Sequence, residues 1–101
     1  MLANKSFTDG DIICIKLVNG EEIIATFKSI ESDKLNVFEP FTLTMNEQGL
    51  GMVPFMVLAE PGFISINRAH VVTTVAPRKD AVDSYANARI NIAKQYKDNQ
   101  N

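Results

Sequence analysis

The chain has one histidine, His70, and one cysteine, Cys14. Together they cannot build an all-His/Cys zinc site, and a lone cysteine forms no intramolecular disulfide. Ser65 and His70 do not make a catalytic pair by themselves. A serine–histidine pair works only when a third group orients the imidazole, and no such geometry can be read from the sequence. Asp9-Gly10-Asp11 sets two carboxylates around a glycine, which is half of a metal site or a simple turn. Twelve Asp and Glu residues are present, but none pairs by spacing into a general acid and base. These residues predict no enzymatic activity, no metal site and no cofactor.

Charge bears on partners. Ten Lys and Arg face the twelve acids, for a net charge of −2. That is not the basic excess of a nonspecific nucleic-acid binder. The charge is unevenly spread, however. Residues 1–60 carry nine acids and four bases, and residues 61–101 carry three acids and six bases. A face built from the second set would attract phosphate. Arg78, Lys79, Arg89, Lys94 and Lys97 form either a basic rim or an ordinary solvated face. Glu21-Glu22 reads as a charged strand edge that blocks wrong pairing.

The elements that position these residues follow from periodicity. Residues 1–10 are a polar arm. Asp11 to Leu17 alternates, with Ile13, Ile15 and Leu17 on one face. Asn19-Gly20 predicts a type I′ hairpin turn. A second strand runs from about Glu22 to Ile30, with Ile23, Ala25 and Phe27 on one face. After the polar turn Ser32-Asp33-Lys34, a third strand runs from Leu35 to Met45. Leu35, Val37, Phe41, Leu43 and Met45 share one side of it, and Glu39-Pro40 marks an edge, bend or bulge. Asn46 to Gly51 reads as a loop. Met52 to Ala59, apolar on both faces, reads as a fourth strand covered on both sides. Pro61-Gly62 is a type II turn, or a bulge in one long strand that continues to Ile66. Asn67 to His70 is a short turn, and Val71 to Ala76 is the last strand. Asp80 is the expected N-cap of a helix whose Ala81, Tyr85, Ala88, Ile92 and Tyr96 form one face. That face packs on its own barrel, on a neighbouring subunit or on a partner protein. Residues 98–101 read as a frayed tail.

This is a mainly β domain with an added C-terminal α-helix. The length of 101 residues, 46% apolar and 22% charged, suits one domain. Five short, strongly bent strands make a small open barrel. Its open edges predict pairing with other copies, which closes into a ring if the rotation allows. No apolar run reaches the ~18 residues of a membrane span, and no secretory signal is expected. The single cysteine fits the reducing cytoplasm.

Over roughly residues 11–77 the chain resembles the Sm/LSm/Hfq family, whose fold is an SH3-like, strongly bent five-stranded barrel. Ile15-Lys16-Leu17-Val18-Asn19-Gly20 resembles the first-motif hairpin, and Leu35-Asn36-Val37 resembles the family's Met-Asn-Leu triplet. Glu31 sits where the family usually has an aspartate. Ile66-Asn67-Arg68-Ala69-His70-Val71-Val72 resembles the second motif. The stretch from Ala69 to Pro77 looks like the bacterial Hfq ending. Gly20-Glu21-Glu22-Ile23-Ile24-Ala25 and Pro54-Phe55-Met56 look like Sm-like proteins of marine cyanophages. The chain departs from the family at Ala25 and Ala69, which replace glycines, in a longer middle region, and in having its helix at the C-terminus.

The resemblance implies a homo-oligomeric ring of five to seven copies, in a host cytoplasm if phage-encoded. It also implies a single-stranded RNA site that acts in RNA chaperoning or as a scaffold. Asn36 would read a base edge, and Arg68 would stack on the base. His70 would stack or bond sugar or phosphate, and Lys34 would contact phosphate. Otherwise Asn36 and Asn67 satisfy turn backbone and Arg68 pairs with a neighbouring subunit's carboxylate. The protein would then be an interaction or structural ring without RNA.

Overall fold

The computed structural model describes residues 6–99, with side chains to residue 97. Residues 1–5 of the expected arm and residues 100–101 of the expected tail lie outside that range. The strands are β1 (Ile12–Leu17), β2 (Glu22–Glu31), β3 (Lys34–Asn46), β4 (Gly49–Pro54), β5 (Phe63–Asn67) and β6 (Val71–Val75). They are followed by one helix, α1 (Lys79–Asn99). All pairings are antiparallel, in the order β4-β3-β2-β1-β6, with β5 also on β3. The sheet is open: β6 borders one side, and β4 and β5 share the other. No helix among the described residues is long and apolar enough to cross a membrane.

Six strands stand where five were expected. The loop expected at Asn46 to Gly51 is a tight turn at Glu47-Gln48 leading into β4, with Asn46 opposite Gly49. β4 and β5 are two halves of one line beside β3. Pro54 faces Phe41 and Phe63 faces Phe38. Between them Phe55 N–H donates to the Pro40 carbonyl (3.0 Å) and Glu39 N–H to the Gly62 carbonyl (2.8 Å), so residues Met56 to Pro61 are extruded. Pro40 offers no N–H to the neighbouring strand, and pairing lapses there. The fourth strand expected to run to Ala59 with both faces covered therefore ends at Pro54. Met56, Val57 and Leu58 are 51%, 74% and 99% exposed.

Bulges in β3 and β2 decide which way their side chains point. Thr26 faces Phe38 and Ile24 faces Phe41, so β3 carries one extra residue between them. It falls at Glu39-Pro40, where Glu39 has φ +47°. One extra residue exchanges the two faces of a strand. Leu35 and Val37 therefore point to one side, while Phe41 and Leu43 point to the other. This corrects the expectation of a single face, and Met45 is exposed. A second bulge at Lys28 lies between Phe27, opposite Val37, and Ser29, opposite Asn36.

The sheet thus has two cores. The inner one joins Ile13, Ile15, Leu17, Ile23, Ala25, Phe27, Leu35, Val37 and Ile66, with Phe7 from the arm against it. The outer one joins Cys14, Ile24 and Phe41 to Ala81 and Tyr85 of α1. Fully burying side chains of this size contributes about 1.5–3 kcal/mol each. The helical stripe is accordingly spent on the protein's own sheet, with Ala88 and Ile92 packed at its margin.

Local capping differs from expectation at two places. The β1–β2 hairpin is a type I turn with a glycine bulge instead of type I′. Gly20 N–H donates to the Leu17 carbonyl (2.9 Å), and Gly20 has φ +92° while Asn19 stays in the normal region. Asn19 holds that shape by accepting from Glu21 N–H (2.9 Å). At the helix start, Val82 N–H already donates to the Arg78 carbonyl (3.0 Å). Asp80 is therefore inside the first turn and is not the N-cap. Its carboxylate holds the Arg78 guanidinium at 3.0 and 2.7 Å and still faces the positive end of the helix. The helix also runs past the expected start of the tail, to Asn99.

Tyr85 locks the helix to the β3 bulge. Its ring is fully buried and meets Phe41 edge-on, with centroids 5.8 Å apart. Its hydroxyl lies 2.9 Å from Thr26 Oγ1 and donates toward the Phe38 and Glu39 carbonyls at 3.1 and 2.9 Å. Burial pushes the phenol pKa up, so the group stays a neutral donor. Tyr85→Phe leaves those partners unsatisfied next to an apolar ring. Urea unfolding should show a loss of about 1–3 kcal/mol with an unchanged m-value.

Candidate nucleic-acid interface

The residues expected to form a site sit around the three-residue 3-10 turn Arg68–His70, which joins β5 to β6. Asn67 starts the turn and accepts from Ala69 N–H (2.9 Å), so this asparagine does satisfy turn backbone. The turn is anchored at both ends. Arg68 N–H donates to the Asp33 carbonyl (2.8 Å) and Val18 N–H to the His70 carbonyl (2.9 Å). One end thus rests on the β2–β3 turn and the other on the β1–β2 hairpin.

Lys34 and Asn36 are placed by register, and Arg68 directly follows the last paired residue, Asn67. Lys34 faces Asn67 and Asn36 faces Ser65 across β3 and β5. On the other side Glu31 faces Lys34 and Ser29 faces Asn36. These six side chains share the outer face of the sheet, because residues two apart on a strand point the same way. The Arg68 guanidinium reaches the Ser32 carbonyl (3.3 Å). Lys34, Arg68 and His70 are all exposed. Among the described residues, none of the three has a carboxylate within ion-pair distance.

Asn36 is more engaged than the sequence suggested. Its amide donates to Ser29 Oγ (3.0 Å) and Glu31 Oε1 (2.6 Å), and its Oδ1 accepts from Ser65 Oγ (2.5 Å). It bonds side chains and no turn backbone. Both amide hydrogens are occupied, so a base edge could gain them only in exchange for these partners. His70 is placed differently. It borders a hollow with Leu17, Phe55, Met56, Ile64 and Asn67, whereas Arg68 borders one with Phe7, Ile30, Val71 and Val72. The structure sets Lys34 and Asn36 side by side on the outer face, places Arg68 at the β2–β3 turn beside a hollow that the inner-core residues Ile13, Phe27 and Leu35 also line, and sets His70 at the other end of the turn.

Other candidates are accounted for by their contacts. Asp11 accepts from Thr8 N–H (2.9 Å) and Asp9 pairs with Lys28 (2.7 Å), so Asp9-Gly10-Asp11 is a turn, with Gly10 at φ +98°. Among the described residues no group of three His, Cys, Asp or Glu side chains could hold a metal. The expected basic rim is largely neutralised. Arg78 pairs with Asp80 (2.7 Å), Lys79 with Asp83 (2.9 Å) and Arg89 with Glu39 (2.5 Å).

Sequence reasoning missed the aromatic pair beside Asn36. Phe38 and Phe63 face each other across β3 and β5, with centroids 4.8 Å apart. Arg89 lies 5.4 Å from the Phe38 centroid and Lys28 Nζ lies 5.5 Å from that of Phe63. The proline in β3 signalled an irregularity, but no residue pattern announced the bulge at Lys28.

Cys14 is a core residue, 8% exposed. Burial, then the nearby Glu22 carboxylate, push its thiol pKa up. A raised pKa means less thiolate at neutral pH. A disulfide reagent at pH 7 should therefore modify Cys14 far more slowly in the native protein than in urea, as absorbance of the released thiol would show. The sequence matches no protein-family model and no curated protein.

Proposed function

We propose that the chain is an Sm-like, ring-forming protein that binds single-stranded RNA and serves as an RNA chaperone or scaffold. The observation that carries this reading is the docking of the Arg68 turn on the β2–β3 turn beside Lys34 and Asn36. It sets two exposed cations at one end of the sheet, Lys34 on the outer face next to Asn36 and Arg68 on the turn itself. Planar guanidinium groups stack on bases, ammonium groups meet phosphate, and amides read base edges. A ring would repeat the set in each subunit, so weak single contacts would combine through effective concentration. The open sheet supports assembly, since β6 and the β4–β5 line leave free edges on opposite sides. Head-to-tail pairing of such edges makes rings of five to seven when the rotation closes.

A second reading is favoured by the extruded segment Met56–Pro61. Three consecutive exposed apolar side chains beside a free edge suit protein contact. In that case the ring is an interaction or structural assembly without RNA.

Fluorescence anisotropy with labelled oligo-U and oligo-A separates the two. For an RNA binder, wild type binds, affinity falls as salt rises, and Arg68→Ala weakens binding about tenfold, as expected for loss of one stacked base. Absence of binding at low salt, by a protein that light scattering shows to be a ring, favours the scaffold. A monomer in light scattering overturns the ring.

A further inference from the structure

We infer that Phe63, with Phe38 and Lys28, forms a second base-stacking position for single-stranded RNA on the outer face of the sheet, next to Asn36. The inference rests on the RNA reading above and extends it to residues outside both family-like motifs. Phe63 is 66% exposed, an unusual place for a phenylalanine in a strand whose other apolar members, Ile64 and Ile66, are covered. It does not stand alone. Phe38 lies directly opposite it in register, and the two rings are tilted by 56° at 4.8 Å. This supports one edge of Phe63 and leaves it a preset, low-entropy surface.

The face is continuous with the first site. Asn36 and Ser65 are the next outward-facing pair after Phe38 and Phe63. Two residues along a strand span about 7 Å. A chain contacting Lys34 and Asn36 could therefore reach Phe63 with its neighbouring base. Exposed aromatics on adjacent strands stack bases in just this way on RNA-binding sheets.

Charge along this face is mixed: Lys34 has no ion pair among the described residues, and Glu31 lies beside Asn36. Lys28 is at Phe63, and its pair with Asp9 is solvent-exposed on the Asp9 side. Such an exposed pair contributes little, so a phosphate can compete for the ammonium. Glu39, the carboxylate nearest Phe38 in sequence, is neutralised by Arg89.

The chain has no tryptophan, which makes Phe63→Trp a clean reporter. Adding oligo-U should quench its fluorescence, since a base stacked on indole quenches it. In anisotropy, Phe63→Ala should weaken oligo-U binding about five- to hundredfold, and Phe63→Tyr should restore it. Lys28→Ala should flatten the log–log salt slope by about 0.7. If wild type binds and Arg68→Ala weakens it, but Phe63→Ala binds like wild type and the tryptophan is not quenched, the stacking position is refuted and the RNA reading stands. If wild type binds neither oligo-U nor oligo-A at low salt, both fail together. Phe63 is exposed, so circular dichroism of the variants should match wild type, and a changed spectrum would count against a purely stacking role.

Discussion

β5 and β6 pair with different members of the sheet, β5 with β3 and β6 with β1, yet only Arg68, Ala69 and His70 join them. A 3-10 turn rises about 2 Å per residue, so the far sides of the sheet must come close at that end. The sheet has to curl, and its inner face then packs on itself. Ile13, Ile15, Ile23, Ala25 and Val37, all with no exposed surface, are the consequence. The same short link puts Arg68 on the β2–β3 turn and His70 on the β1–β2 hairpin. The candidate site is thus a by-product of the connection that shapes the fold.

Curling a sheet needs places where the ladder can yield. β3 yields at Glu39-Pro40 and β2 yields at Lys28. At the first, Glu39 takes a left-handed φ that non-glycine residues rarely adopt. The conformation is held from several sides. The Tyr85 hydroxyl bonds the Glu39 carbonyl, Arg89 pairs with the Glu39 side chain, and Gly62 accepts from its N–H. Helix docking and strand bending are therefore one event. The bulge also lets one strand serve two cores, with Leu35 and Val37 inside and Phe41 under the helix.

That exchange of faces links the fold to the surface beside the site. Because Lys28 is an extra residue, Ser29 and Glu31 stay on the outer side with Asn36 and Lys34. Because Glu39-Pro40 contains another, Phe41 turns to the same outer face as Phe38 and Phe63 and is covered there by α1. A polar patch and an aromatic pair end up side by side. Without the extra residue at Lys28, Ser29 and Glu31 would face inward, and without the one at Glu39-Pro40, Phe41 would, whereas Lys34, Asn36 and Phe38 share the outer face by plain alternation along β3.

Much was legible from residue types alone. Strict alternation located β1 and the first half of β2, with Ile13, Ile15, Leu17, Ile23, Ala25 and Phe27 inward as expected. Spacing of Ala81, Tyr85, Ala88 and Ile92 located the helical stripe. These are local properties, decided by period and by side-chain volume. What only the tertiary structure decided is longer-ranged. The apolar run after Met52 looked like a covered strand, because hydrophobicity does not reveal whether a partner is available. Pro40 on the neighbouring strand withdrew the partner, and the run was extruded. Asn36 looked free to read a base, because its partners Ser29, Glu31 and Ser65 come from two other strands and their register depends on a bulge with no sequence signature. Phe38 and Phe63 are far apart in the chain and are joined only by pairing. Periodicity constrains neighbours along the chain, whereas faces and partners depend on register, and one inserted residue is enough to change that.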